Sequence, residues 1–95
     1  MRHPRVFVIL ALLSAALPVL APTLGAQDPR LEARLDARTR AGVVAIVDSA
    51  RAAALPTEPL VLKALEGASK RAGRERILAA VRTLAVELGA ARAAL

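Results

Sequence analysis

The chain has 95 residues, no cysteine, a formal net charge of +6 and a single aromatic residue, Phe7. This length allows one small domain at most. Without cysteine, disulfides, thiol catalysis and a lipid-modified cysteine anchor are all excluded. Hydrophobic residues make up 56% of the chain, and most of them are Ala, Leu and Val. Because these residues occur together with many arginines, the composition favours helices, and we expect an all-α protein.

The first 26 residues have the layout of a secretory signal peptide. A basic start with Arg2 and Arg5 is followed by a compact apolar run over residues 6–17 and then by two prolines. Small residues come next, so we predict cleavage between Ala26 and Gln27. The protein is therefore expected to be exported, and to be periplasmic or secreted.

A retained inner-membrane anchor is the alternative interpretation of this segment. A spanning helix needs about 20 apolar residues, and the run before Pro18 has about 12. Only residues 6–24, read through two prolines, approach the necessary length. Cleavage is therefore preferred, and it would leave residues 27–95 as one small helical domain of 69 residues with a net charge near +4.

Three helices are predicted in this domain, in a hairpin-like or three-helix arrangement, at about residues 29–54, 58–71 and 74–94. Asp28 is a suitable N-cap for the first helix, and Pro29 suits its first position. Asp36 is expected to pair with Arg40 one turn later. The β-branched run over residues 42–47 could instead be a strand, but no second strand exists to pair with it, so a contiguous helix is preferred.

The connection to the second helix is marked by prolines. Pro56 ends the preceding helix, Thr57 is the expected N-cap, and Pro59 falls in the first turn, where its missing N–H costs nothing. Gly73 is the predicted end of this second helix. The small residues on its apolar face predict that a neighbouring helix approaches closely, and these are Ala64, Gly67 and Ala68.

The last helix has the most regular periodicity in the chain. Its apolar positions are spaced alternately by four and three residues, as in a heptad repeat, at Ile77, Val81, Leu84, Leu88, Ala91 and Leu95. About three heptads are marginal for a free-standing coiled coil. We therefore expect this seam to pack within the chain, with pairing to a second copy as the alternative.

Residues 55–77 resemble a pattern found in small, uncharacterised exported bacterial proteins. Leu-Pro-x-Glu-Pro-Leu is followed there by Lys, Glu-Gly and Lys, and then by Arg-Ile, as in this chain. A glycine often precedes Leu-Pro in that pattern, whereas this chain has Ala54. Because alanine carries a steric penalty in the left-handed region, the sequence argues against a left-handed helix end at this position. The resemblance implies no activity.

Residues 27–95 offer no catalytic, cofactor-binding or metal-binding constellation. They contain no Cys, His, Tyr, Trp, Asn or Met, so imidazole nucleophile systems and soft metal sites have no ligands. Ser69 and Lys70 are adjacent and point in different directions on a helix. Glu32 and Asp36 are too few ligands for a cation site. We therefore expect a protein that is not an enzyme and has no cofactor.

The remaining hypotheses concern surfaces. The densest positive charge is formed by Lys70, Arg71, Arg74 and Arg76. Without aromatic stacking residues, and in an exported protein, it does not indicate nucleic-acid binding. It indicates a solvated turn or contact with an anionic membrane surface.

The leading hypothesis is protein–protein contact in the bacterial envelope, either as a homo-oligomer or with an envelope partner. Apolar residues left over after folding would carry this contact, and the candidates are Leu62, Leu84 and Leu88. A peripheral, membrane-binding amphipathic protein is the alternative.

Overall fold

The computed structural model describes residues 28–95, which form four α-helices. They are α1 (Pro29–Arg34), α2 (Ala37–Ala52), α3 (Glu58–Ser69) and α4 (Arg74–Ala93). The prediction of an all-α protein is confirmed, and this part of the chain contains no strand. The predicted signal peptide, its cleavage site at Ala26 and Gln27, and the alternative anchor over residues 6–24 lie outside the described residues.

The first predicted helix is divided into α1 and α2, so the expectation of one contiguous helix over 29–54 is wrong. Leu35 is extended, with φ −118° and ψ 143°. Asp36 then acts as the N-cap of α2 and accepts hydrogen bonds from the Thr39 backbone N–H at 2.8 Å and its hydroxyl at 3.1 Å. Asp36 therefore caps a new helix rather than pairing with Arg40, which donates to the Leu35 carbonyl.

Helix α2 ends in a Schellman motif whose left-handed residue is Ala54. The Ala54 N–H donates to the Arg51 carbonyl and the Leu55 N–H to the Ala50 carbonyl, as this motif requires. The φ of Ala54 is 62°. The sequence argument against a left-handed helix end was therefore wrong at this position. The Arg92 side chain of α4 donates to the Ala54 carbonyl and joins this turn to the last helix.

Helix α3 differs from expectation at both of its ends. Thr57 occupies the N-cap position, but its hydroxyl caps nothing, because its ψ of −22° is helical rather than extended. At the other end Arg71, with φ 58°, is the left-handed residue of a second Schellman motif. Gly73 is extended and precedes α4 as its N-cap, so it does not end α3. Pro59 lies in the first turn, as predicted.

The core collects aliphatic side chains from all four helices. Its buried members are Leu31, Leu35, Val43, Val47, Ala50, Leu60, Val61, Ala64, Ile77 and Val81. Helix α4 packs on α2 and α3, and α1 packs on the same two helices. Short as it is, α1 is anchored because Leu31 is fully buried. Within residues 28–95, no buried side-chain nitrogen or oxygen lacks a hydrogen-bond partner.

Two glycines let α4 approach its neighbours. A Cβ added to Gly67 of α3 would lie 2.8 Å from Ile77 Cγ1, and one added to Gly42 of α2 would lie 2.7 Å from Leu78 Cδ2. These distances are below ordinary carbon–carbon contact. Ile77 and Leu78, which are adjacent at the start of α4, thus occupy the space beside these two glycines. Ile77 lies at Gly67 and Leu78 at Gly42, and we call these two places the notches. The close approach predicted at Gly67 is confirmed.

Replacing each of the two glycines with alanine should lower the free energy of unfolding by a different amount. Gly67→Ala should lower the free energy of unfolding by about 1–2 kcal/mol, because the β-branched Ile77 has little freedom to move its Cγ1. Gly42→Ala should cost less, since Leu78 meets it with the far end of a flexible side chain. Urea unfolding followed by circular dichroism measures both effects.

Gly89→Ala is the matched control within α4. The nearest atom to its added Cβ is Leu55 Cδ1 at 3.9 Å, an ordinary contact. Helix propensity should therefore raise the stability by up to about 1 kcal/mol. Equal stability of the Gly67→Ala and Gly89→Ala proteins would contradict the close packing at Gly67.

Ala54→Gly should stabilise the protein by roughly 0.5–1 kcal/mol. Glycine removes the left-handed penalty of alanine, and part of that gain is offset by the greater freedom of glycine in the unfolded chain. Ala53→Gly is the control, because Ala53 has an ordinary φ of −88°, and this change should destabilise. A lower thermal unfolding temperature for Ala54→Gly than for the unaltered protein would contradict the left-handed assignment.

Candidate functional site

Three of the four polar side chains that could suggest chemistry, Ser69, Lys70 and Asp36, have structural partners. Ser69 accepts a hydrogen bond from Arg34 at 3.0 Å, and Lys70 pairs with Glu66 rather than with the neighbouring serine. Asp36 is engaged as a helix cap. No group of three or more His, Cys, Asp or Glu residues within residues 28–95 is placed to hold a metal ion.

The three predicted contact residues have different surroundings. Leu62, on α3, is 52% exposed and is open to a partner. Leu84 and Leu88, on α4, are half-buried and pack against the core of their own chain. The first part of the predicted seam, Ile77 and Val81, is buried. The seam therefore packs within the chain from Ile77 to Leu88, as expected, whereas its last two members, Ala91 and Leu95, are exposed. The role of these leucines in binding stays a prediction.

The side of α4 that faces away from the core carries a second regular row. Its members are Ala79, Thr83, Val86 and Ala90, which we call the outer face. All four are exposed, and Val86 is 68% exposed. Their spacing of four, three and four residues keeps them on one side of the helix. Sequence reasoning missed this row because the larger residues of the core seam dominate the periodicity of the same segment.

An apolar groove between α2 and α4 adjoins the outer face. Its lining consists of Ala45, Ile46, Ser49, Ala50, Ala53, Leu55, Arg82, Ala85 and Val86. Val86 belongs to both features, so the apolar surface continues from the outer face towards α2. Scattered single apolar residues need no explanation on a protein surface, whereas a continuous apolar strip is typical of contact with another molecule.

Charged residues border the outer face on both sides. Arg82 and Glu87 are exposed and lie next to the row, one on each flank. Neither takes part in an ion pair among the residues that the structure describes. They are five positions apart on one helix, whereas side chains that contact each other along a helix are three or four positions apart. Arg82 and Glu87 of one chain therefore do not pair with each other.

The basic turn between α3 and α4 is largely exposed. Lys70 is paired with Glu66 at 3.0 Å, and Arg74 is 3.5 Å from Glu75, so two of its four cations have acidic neighbours. Arg71 supplies the left-handed residue of the turn. This arrangement fits a solvated turn, in which ion pairs contribute little stability. In residues 28–95, no helix is both long and apolar enough to cross a bilayer.

Arg30 links the start of α1 to the start of α3. Its guanidinium donates to both carboxylate oxygens of Glu58, at 2.8 and 2.9 Å, and to both of Asp28, at 2.9 and 3.1 Å. These hydrogen bonds hold the pKa of Glu58 below its ordinary value of 4.5 and that of Asp28 below 3.8. The same bonds, first those to Glu58, raise the pKa of Arg30.

Two further carboxylates favour their charged forms. The Thr39 backbone N–H, followed by its hydroxyl, lowers the pKa of Asp36, and hydrogen bonds from Lys70 and then Lys63 lower that of Glu66. A carboxyl group whose pKa is lower in the folded protein stabilises the fold above its unfolded pKa. That contribution disappears as the pH falls through the folded pKa.

Stability should therefore be nearly constant from about pH 5 to 8 and should decrease below about pH 5. The only histidine, His3, precedes the described residues, so no imidazole there titrates in the upper range. Thermal unfolding between pH 2.5 and 8 measures this profile. Glu58→Gln should make the acid decrease shallower, since it removes one of the four carboxylates. High salt should reduce the effect of these exposed pairs.

Glu32→Gln is the control for this experiment, because Glu32, an exposed residue of α1, has no ion pair within the described part of the chain. It should leave the acid decrease unchanged. The same profile for Glu58→Gln and Glu32→Gln would contradict the role assigned to the bond between Arg30 and Glu58.

No family model, no curated protein and no solved structure gives a significant match to this chain. The resemblance of residues 55–77 to small exported bacterial proteins therefore stays a prediction.

Proposed function

We propose that this chain is an exported, non-enzymatic helical protein that acts by protein–protein contact in the bacterial envelope. The observation that carries the proposal is the exposed apolar strip formed by the outer face of α4 and the adjoining groove, with Val86 68% exposed where the two features meet. Covering one valine contributes about 1.5 kcal/mol or more. A partner that covers the whole strip gains several such contributions.

The sequence supports the location of this contact. Its basic start, apolar run and small-residue cleavage region are typical of a protein directed out of the cytoplasm, and the predicted mature chain begins at Gln27. Small exported domains often depend on disulfides, which this chain has no cysteine to form. Contact with a partner is one way for such a domain to gain further stability.

Peripheral membrane binding is the second candidate. The cations around the turn between α3 and α4 favour it, since Lys70 and Arg76 of the basic turn line one surface cavity together with Lys63 of α3. Basic residues near an anionic membrane each contribute about 1 kcal/mol to binding. Glu66 lies in the same cavity and pairs with both lysines. This reduces the net charge that a membrane would meet, so protein contact is the preferred function.

Site-specific photo-crosslinking in the full chain tests the proposal. A photoreactive residue at position 86 or 62 should give discrete protein adducts in the envelope fraction. The chain in these adducts should have a mass that corresponds to a start near Gln27. The control is position 33, an exposed alanine on α1.

Protein adducts of equal yield at all three positions would contradict a specific contact surface. Lipid adducts without protein adducts at position 86, together with salt-sensitive sedimentation on anionic vesicles, would favour the membrane alternative. Retention of the full chain in the cytoplasm with its first residues intact would contradict export.

A further inference from the structure

We infer that the outer face of α4 pairs with the outer face of a second copy of this chain, with the two α4 helices parallel. The inference rests on the proposed function and names the partner in that contact. It follows from the spacing of the outer face and from the charges at its borders.

The outer face has the geometry of a two-helix seam. Its positions, Ala79, Thr83, Val86 and Ala90, alternate in steps of four and three, as do the contact positions of a coiled coil. They lie opposite the buried Ile77 and Val81, so α4 can use one side for its own core and the other for a partner. Three of the four are small, which allows two helices to lie close together, and Val86 is the one large apolar residue among them.

The flanking charges select a parallel pair. In the heptad defined by this seam, Arg82 occupies a g position and Glu87 the e position of the next heptad. Parallel helices bring a g residue of one chain against the e residue five positions later in the other. The i,i+5 separation that prevents contact within one helix thus produces two symmetric ion pairs, each between Arg82 of one copy and Glu87 of the other.

An antiparallel pair does not satisfy these charges. Antiparallel helices bring g positions against g positions and e positions against e positions. In registers that keep the two outer faces in contact, Arg82 would then face Gly89 or a second Arg82, and Glu87 would face Ala80 or a second Glu87. Such registers leave both charges without a partner or place like charges together, which is unfavourable.

The contact should be reversible. The outer face spans about 17 Å of helix at 1.5 Å per residue, and its small side chains cover less area than the roughly 1,200–2,000 Å² of a stable interface. Dimerisation should therefore increase with protein concentration, and the monomer should dominate at high dilution.

Cysteine crosslinking distinguishes the two orientations sharply, because the chain has no cysteine of its own. In the full chain, each of Ala79→Cys, Val86→Cys and Ala90→Cys should form a disulfide-linked dimer with itself under mild oxidation. Ala33→Cys, on the exposed surface of α1, should not. A mixture of Ala79→Cys and Ala90→Cys proteins should give few mixed dimers, since these positions are far apart along parallel helices.

Charge reversal provides a second measurement. Arg82→Glu should weaken dimerisation about tenfold, as should Glu87→Arg, because each change creates two like-charge pairs. The double variant Arg82→Glu/Glu87→Arg should restore it. Circular dichroism of each variant checks that the helices remain folded, and the crosslinked fraction against concentration gives the fold-change.

The outcomes separate this inference from the proposed function. Preferential mixed dimers of Ala79→Cys with Ala90→Cys would overturn the parallel arrangement. Absence of disulfide dimers at all three positions, together with photo-crosslinks from position 86 to a different protein, would overturn the second copy as partner and leave the proposed function standing. Absence of both kinds of crosslink would overturn both.

Discussion

The close approach of α4 to its two neighbours is the interaction on which the rest of the structure depends. Ile77 and Leu78 are consecutive, yet they enter different helices, at Gly67 of α3 and at Gly42 of α2. The described residues contain no aromatic side chain, so the core cannot be filled by a few large groups. Small residues that bring the helices together provide the packing density that protein interiors require.

This packing also determines which side of α4 stays exposed. Once Ile77 and Val81 are buried, the opposite side of the same helix must face away from the core. The side chains on that side are not strongly polar, and they are too small to form a second core within the chain. It combines small apolar residues with Val86 at the centre and one charge of each sign at its borders. A helix with two apolar sides is expected where one side serves folding and the other serves association.

Much of the fold could be predicted from local sequence rules, and the predictions that were wrong failed for physical reasons. The all-α class, the cap at Asp28, which accepts from the Arg30 backbone N–H, and the packing of the seam from Ile77 to Leu88 could be predicted from composition, capping preference and periodicity. The break at Leu35 could not, because the helical pattern continues through it and Asp36 suits both an ion pair and a cap. The left-handed conformation of Ala54 could not be predicted either. It is stabilised by the Schellman hydrogen bonds and by a hydrogen bond from Arg92, which is distant in the sequence. The candidate site was predicted only in part: Leu62 is exposed, whereas Val86 was overlooked beside the larger leucines.

Nuclear Overhauser contacts in the protein labelled with ¹³C test the central claim most directly. The account predicts contacts between the α-protons of Gly67 and the methyl groups of Ile77, and between those of Gly42 and the methyl groups of Leu78, in a protein whose four helices are formed. Formed helices without either contact would show that α4 does not enter the two notches, and would contradict the account.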